Sequence, residues 1–296
     1  MARLAADFVI LVLFVIISQC LSQTFFVAAL ERLDLDRFAG KKILFVGAHP
    51  DDVEGMAAGT VSQLTAIAEV GLLIFTNGDK GGSCYHKNNI SEFFQCPKED
   101  IAALRRGEQY AAAKFMGIAR ENVRFFDLED GMLESYTYDS LMVKATAHVR
   151  TFQPYAVFAW FPSPVWSAPP QSSTCPQCYD DLGYHPDHQY SGKVMLDVVR
   201  SFSPQLSRSF DELLYAGVKP WAVTEFYMFA LTEDATHFTE ISDSLLKTKT
   251  EAMMIHHSQI EGAGYNFMYD YFDYVTSSVA REYGLSGRIE AFTAYF

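Results

Sequence analysis

Basic residues are scarce: 23 lysines and arginines stand against 36 aspartates and glutamates, a formal charge of -13. A chain this acidic repels phosphate backbones, which excludes nucleic acid as a natural partner. Long apolar stretches are scarce as well. The run from Phe8 to Ile17 near the start is shorter than the ~20 residues a membrane-spanning helix needs. Cysteine is sparse, five in 296 residues, and Cys175-Pro-Gln-Cys178 has no second CxxC to complete a four-cysteine structural zinc site. No internal repeat or long linker divides the chain. What remains is 49% hydrophobic and 15% aromatic, enough for a substantial core and too apolar for global disorder.

The first residues, MARLAADFVILVLFVIISQCLSQT, have a weakly basic start, an apolar centre and a small, polar end. This pattern predicts a secretory signal over residues 1–24, ahead of a catalytic domain over residues 40–296. Apolar character resumes at Phe25 to Leu30, so a retained membrane anchor is the alternative. Loss of the leader removes Cys20 and leaves Cys84, Cys96, Cys175 and Cys178, an even set that suits disulfides in an exported chain. Four cysteines allow three connectivities, of which the local pairs are the simplest. Asn89-Ile-Ser91 is an N-glycosylation sequon in the polar stretch between Cys84 and Cys96. The expected location is therefore extracellular, with membrane contact only if the leader is retained.

Strand-like and helix-like segments alternate after residue 41. KILFVGA, LLIFT, VRFF, YAVFAW and AVTEFYMFAL read as strands. Residues 54–70, 98–117, 138–151, 186–202 and 243–259 read as helices, and the aromatic tail adds one more helix and a final strand. The alternation predicts an α/β fold: a mainly parallel sheet with helices on both faces. Such sheets bind ligands at the carboxyl ends of their strands. The long segment from Phe161 to Tyr184 reads as a functional loop.

GAHPDDVEG (47–55) stands at one such strand end. It places a histidine and two adjacent carboxylates where chain folding gives no reason for them. HPDH (185–188) repeats the pattern and again opens a helix. Proline suits the first helical position and keeps the preceding histidine extended. The aspartates then fall in first turns, where the helix dipole favours carboxylates. One such motif is explained by helix capping alone. Two, both at strand-to-helix junctions, point to a metal site, since two imidazoles and a carboxylate suit a divalent transition metal with a position left for water. His86, His148 and His237 have no metal-like spacing, and His256 and His257 fall at a helix end where positive charge is welcome.

Six segments in order resemble one family. GAHPDDVEGMAAGT, TNGDKGG, LRRGEQYAAAKFMGI, FFDLEDGML, YHPDHQ and KTEAMMIHHSQ are similar to the motifs of the LmbE-like, or PIG-L, zinc-dependent de-N-acetylases. The resemblance implies a Rossmann-like α/β fold. It implies Zn2+ as cofactor, with Fe2+ or another divalent metal as substitutes, bound by His49, Asp52 and His188. It makes Asp51 the general base and His185 the oxyanion-stabilising or proton-donating group. Asp187 would hold the His185 imidazole, and Arg105 would contact substrate. The implied reaction removes acetate from an N-acetylglucosamine-type sugar or glycoconjugate. The alternatives are a membrane-anchored N-acetylglucosaminyl-phosphatidylinositol de-N-acetylase and an inactive sugar-binding protein. A non-haem iron oxygenase, which could use the same donors, conflicts with the α/β pattern.

Overall fold

The computed structural model describes residues 30–81, 97–162, 185–205, 213, 216–230, 235–260 and 262–295. The expected leader, Cys84, Asn89, Cys96, Cys175, Cys178 and most of the Phe161-to-Tyr184 loop lie outside the described residues. Among the described residues no helix is long and apolar enough to cross a membrane.

Six strands follow the apolar runs or extend them: β2 (Lys42–Gly47), β3 (Glu69–Thr76), β4 (Val123–Leu128), β5 (Ala156–Ala159), β6 (Glu225–Ala230) and β8 (Ile289–Tyr295). Two more, β1 (Glu31–Arg32) and β7 (His237–Glu240), complete the sheet, whose order is β1-β7-β8-β6-β5-β2-β3-β4. Pairings from β4 through β3, β2 and β5 to β6 are parallel. The strand β8 runs antiparallel to both β6 and β7, so the sheet is mainly parallel, as expected. β1 escapes sequence reading because it is two exposed residues long. It nonetheless pairs with β7, and Leu33 and Phe38 behind it are buried. The compact unit that contains the sheet runs from Glu31 to Phe296.

The described helices are α1 (Asp52–Leu64), α2 (Lys98–Phe115), α3 (Tyr138–Phe152), α4 (Pro186–Asp197), α5 (Asp243–Met254) and α6 (Tyr265–Glu282). The first stops short of its expected end near residue 70. Val70 pairs with Ile43 in the sheet, so tertiary pairing overrides the helical look of residues 66–70. Alternate strand residues face opposite layers. Ile43, Phe45, Leu72 and Ile74 pack with Val53 and Val61 of α1, Ala113 of α2 and Ala252 of α5. Leu44, Val46, Leu73 and Phe75 pack with Leu141 and Val149 of α3 and with Val194 and Met195 of α4. Burial on both faces explains why these strands read as continuous apolar runs.

From β2 the chain order runs outward to β3 and β4 on one side, while β5 and β6 flank it on the other. The strand order thus reverses between β2 and β5. A crevice opens at the carboxyl ends of strands where their connections diverge in this way. Residues 48–52 follow β2 and Trp160 follows β5, so both line that crevice.

Candidate active site

Asp52, the first residue of α1, folds the β2 exit back on itself. Its Oδ2 accepts from the backbone N–H of Ala48 at 2.6 Å and of His49 at 2.9 Å, and from the Trp160 indole N–H at 2.7 Å. One oxygen is thereby saturated. The other, Oδ1, lies 3.1 Å from His188 Nε2 and 3.7 Å from His49 Nδ1. Burial pushes the Asp52 carboxyl up, but His188 and His49 outweigh it and hold the group well below the usual carboxylate range.

The second motif arrives on α4. His185 is the N-cap: its Nδ1 accepts from the backbone N–H of Asp187 at 3.2 Å, and Pro186 follows at the first helical position. His188 then stacks on Trp160, ring centroids 3.9 Å apart and planes 5° off parallel. Gly192 permits this approach, since a Cβ there would meet the Trp160 carbonyl oxygen at 2.4 Å. The two motifs meet with His49 Nδ1 at 3.1 Å from His188 Nε2.

The three atoms expected as ligands are therefore 3.1, 3.1 and 3.7 Å apart. Donors about 2.0–2.1 Å from one tetrahedral ion sit roughly 3.3 Å from each other, so this trio fits a zinc-sized cation. The environment of His49 fits too. Its Nε2 lies 3.1 Å from Asp130 Oδ1 and 3.2 Å from Asp187 Oδ2. In the neutral ring those carboxylates hold the proton on Nε2 and leave the Nδ1 lone pair facing Asp52 and His188. This is the usual outer support of a metal-binding imidazole. Burial alone would lower the His49 pKa, but Asp130, Asp187 and Asp52 together raise it well above the ordinary value. Two further groups, His49 with His185 and His188, and His49 with Asp130 and Asp187, also have donor atoms within 4.8 Å. The second group uses Nε2, and Asp187 already accepts backbone N–H bonds from Leu133 at 3.0 Å and Gly131 at 2.6 Å. It serves better as support than as a ligand set.

One expectation is corrected here. Asp187 does not clasp His185; its carboxylate points to His49 and to the 131–133 turn. Successive helical residues point ~100° apart, and the ring of His185 is occupied in capping the helix that carries Asp187.

Asp130 is the residue that sequence reading missed. It is buried, sits in the turn after β4, and its carboxyl is held at about 2: burial raises it, but the His49 hydrogen bond and the charges of His49 and Arg105 lower it more. The acidic-glycine pair Asp130-Gly131 directly after an apolar strand was the available signal.

Asp51 sits at the lip with its side chain 17% exposed. Burial raises its pKa; Arg105 lowers it by less, and neighbouring Asp52 adds to the rise. An elevated carboxyl beside a metal site suits a group that must take up a proton. Arg105 is almost fully buried and donates to Asp51 Oδ2 at 3.2 Å, to Pro50 O at 2.7 Å and to Gly78 O at 3.0 Å. Its guanidinium sits where a Cβ on Gly78 would fall, 2.6 Å away, which requires glycine at that turn. The guanidinium is thus held against the backbone at Pro50 and Gly78 and beside Asp51. Arg106 faces away, stacked over Phe125 at 4.2 Å and bonded to Asn77 and Asp127.

Comparison with known proteins assigns the family and the fold. Residues 44–199 match the family described as PIG-L: GlcNAc-PI de-N-acetylase. The chain is 28% identical over 225 residues to diacetylchitobiose deacetylase of Thermococcus kodakarensis, covering 74% of this chain and 70% of that protein. In structure it is similar to N,N'-diacetylchitobiose deacetylase from Pyrococcus horikoshii, with TM-score 0.69 and 21% identity, covering 89% of this chain and 87% of that one. The fold also matches GalB, the 4-carboxy-2-hydroxymuconate hydratase of Pseudomonas putida KT2440, with TM-score 0.59 and 16% identity over 86% of this chain and 96% of that one. A shared fold alone therefore does not fix the reaction.

Proposed function

Since the chain belongs to the PIG-L, or LmbE-like, family, we propose that it is a metal-dependent amidohydrolase that removes the N-acetyl group of an N-acetylglucosamine-type sugar or glycoconjugate. The observation that carries this reading is the convergence of His49 Nδ1, Asp52 Oδ1 and His188 Nε2. These three residues would hold the ion, and zinc would suit the donors. When bound, zinc supplies a Lewis acid that polarises the acetyl carbonyl and lowers the pKa of water. Asp51 accepts a proton from the attacking water, whose oxygen bonds to the acetyl carbon. His185 has Nδ1 occupied as acceptor, so its neutral ring carries the proton on Nε2, available to the developing oxyanion. As the C–N bond breaks, the proton returns to the nitrogen, giving acetate and a free amine. Asp130 and Asp187 keep the His49 tautomer throughout, and Arg105 steadies Asp51 on the substrate side.

Residues 1–24 act as a leader in this reading, so the substrate is an extracellular glycan; the even set of cysteines left after cleavage supports it. The test is direct. The purified mature chain is analysed for bound metal and for its N-terminal residue. It is then assayed for acetate release from a panel of N-acetylated sugars, with and without chelator. Chelator-sensitive release at one metal per chain is expected; a fully metallated enzyme that frees no acetate from any of them refutes the assignment.

A further inference from the structure

Asp51 has the backbone conformation φ 107°, ψ -21°. L residues avoid this left-handed region because the Cβ crowds the backbone. Asp51 is the N-cap of α1, yet its side chain makes no capping hydrogen bond that would explain the conformation. Instead the peptide unit joining Pro50 to Asp51 is gripped at both edges by one helix. The Pro50 carbonyl accepts from Arg105 Nη2 at 2.7 Å, and the Asp51 N–H donates to Gln109 Oε1 at 3.0 Å. Arg105 and Gln109 are four residues apart on α2, so they rise from the same face as neighbours. Rotating that peptide plane, the motion that would relax φ, breaks both bonds together.

Gln109 is completely buried, and its amide cannot turn over. Its Nε2 donates to Glu54 Oε1 at 2.6 Å. A reversed amide would set carbonyl oxygen against carboxylate and NH2 against the Asp51 N–H. Glu54 is itself fully buried on α1, with His256 Nε2 3.6 Å from the same oxygen and Lys249 Nζ 3.3 Å from its backbone carbonyl. Three elements, α1, α2 and the chain after α5, thus fix which end of one carboxamide faces Asp51. Asp52 needs none of this, since its own bonds to Ala48, His49 and Trp160 hold it.

We propose that Gln109, oriented by Glu54, is a positioning residue that locks the Asp51 peptide in its left-handed form and so keeps the Asp51 carboxylate at the cleft, apart from the metal ligands. The functional half of this inference rests on the assignment of Asp51 as base; the geometric half does not.

The test uses the full chain loaded with zinc, with Gln109→Met, which fills the volume without hydrogen bonds. With N,N'-diacetylchitobiose as probe, kcat falls about 10- to 100-fold, the scale for a reacting group displaced by about 1 Å, while KM and bound zinc stay at wild-type values. In an Asp51→Asn background the same substitution causes no further loss, because both changes act through one group. Crystal structures of wild type and variant show Asp51 leaving positive φ while His49, Asp52 and His188 superimpose. Gln109→Asn, too short to span both partners, repeats the result if the methionine variant fails to fold. An unmoved Asp51 in the variant structure overturns the inference, whatever the activity, and so does unchanged kcat in a wild-type background that needs Asp51. Near-normal turnover by Asp51→Asn alone instead removes the base assignment, and the crystal structures still decide whether Gln109 holds the peptide.

Discussion

Trp160 holds Asp52 and covers His188 at once: its indole N–H donates to Asp52 Oδ2 at 2.7 Å, and its face stacks on the His188 ring at 3.9 Å. One side chain from the end of β5 thereby aligns a carboxylate from the first motif with an imidazole from the second. Trp160→Phe keeps an aromatic face and deletes the N–H. Zinc affinity is expected to fall about 10- to 100-fold, the usual cost of losing an outer support. Competition with a chromophoric chelator measures it, and wild-type affinity in the variant would remove Trp160 from the metal centre.

Asp187 and His185 have different partners although they are two residues apart, and the proposed mechanism gives them different roles. Asp187→Asn weakens the hold on His49 Nε2, so zinc affinity drops while the turnover of fully loaded enzyme changes less. His185→Gln does the reverse, keeping zinc at wild-type stoichiometry and lowering kcat about 100- to 1,000-fold, as when an oxyanion donor is removed. Metal titration and kinetics at saturating zinc distinguish the two; identical behaviour of both variants would contradict the division.

The two proline-marked motifs were legible because each combines a helix start, a proline and metal-type side chains within four residues. Their meeting at one ion was expected from the paired motifs and the family resemblance; what brings them together, β2 and β5 being neighbours in the sheet, was not legible. Asp130 was hidden for the same reason: its link to His49 spans 81 positions and exists only through the order β2-β3-β4. Asp187 was misassigned because nearness in sequence suggested His185, whereas helical geometry turns the carboxylate away. Gln109 carries no sequence signal at all, because a glutamine in a helix reads as a solvated side chain until the fold buries it. The strand β7, His-Phe-Thr-Glu, is too short and polar to announce itself, and it is recognised only by its partners β1 and β8.

Lys249, in the segment KTEAMMIHHSQ, is buried as a counter-ion. Its Nζ donates to Glu290 Oε1 at 2.8 Å, and Glu290 also accepts from the N–H groups of Gly59 and Thr60. The pair ties α1, α5 and β8 together. Lys249→Met strands a buried carboxylate and is expected to cost about 3–5 kcal/mol of stability. Adding Glu290→Gln removes the stranded charge, so the double variant loses less than the sum of the single losses. Urea unfolding of the four proteins closes the cycle, and strict additivity would deny that the two side chains interact.

His148 is expected to give the fold an acid sensitivity that does not depend on the candidate metal ligands. Its ring lies between Phe126 and Phe152, at centroid distances of 6.3 and 6.1 Å, and its Nε2 is buried without a hydrogen-bond partner among the described residues. Burial, with some help from the charge of Arg124, lowers its pKa from 6.5 to about 4. The unfolded chain therefore binds a proton between those values that the folded chain refuses. Stability contributed by this group is intact above pH 6.5, is lost progressively as pH falls, and levels off below pH 4. The full difference amounts to ~3 kcal/mol. His148→Phe keeps the aromatic packing and has no such proton. In chelator-treated protein, so that metal release does not enter, the unfolding free energies of variant and wild type should run parallel above pH 7. They should then diverge in the variant's favour by ~3 kcal/mol at pH 4. Curves that stay parallel down to pH 4 would mean that the folded protein accepts the proton on His148 as readily as the unfolded chain does.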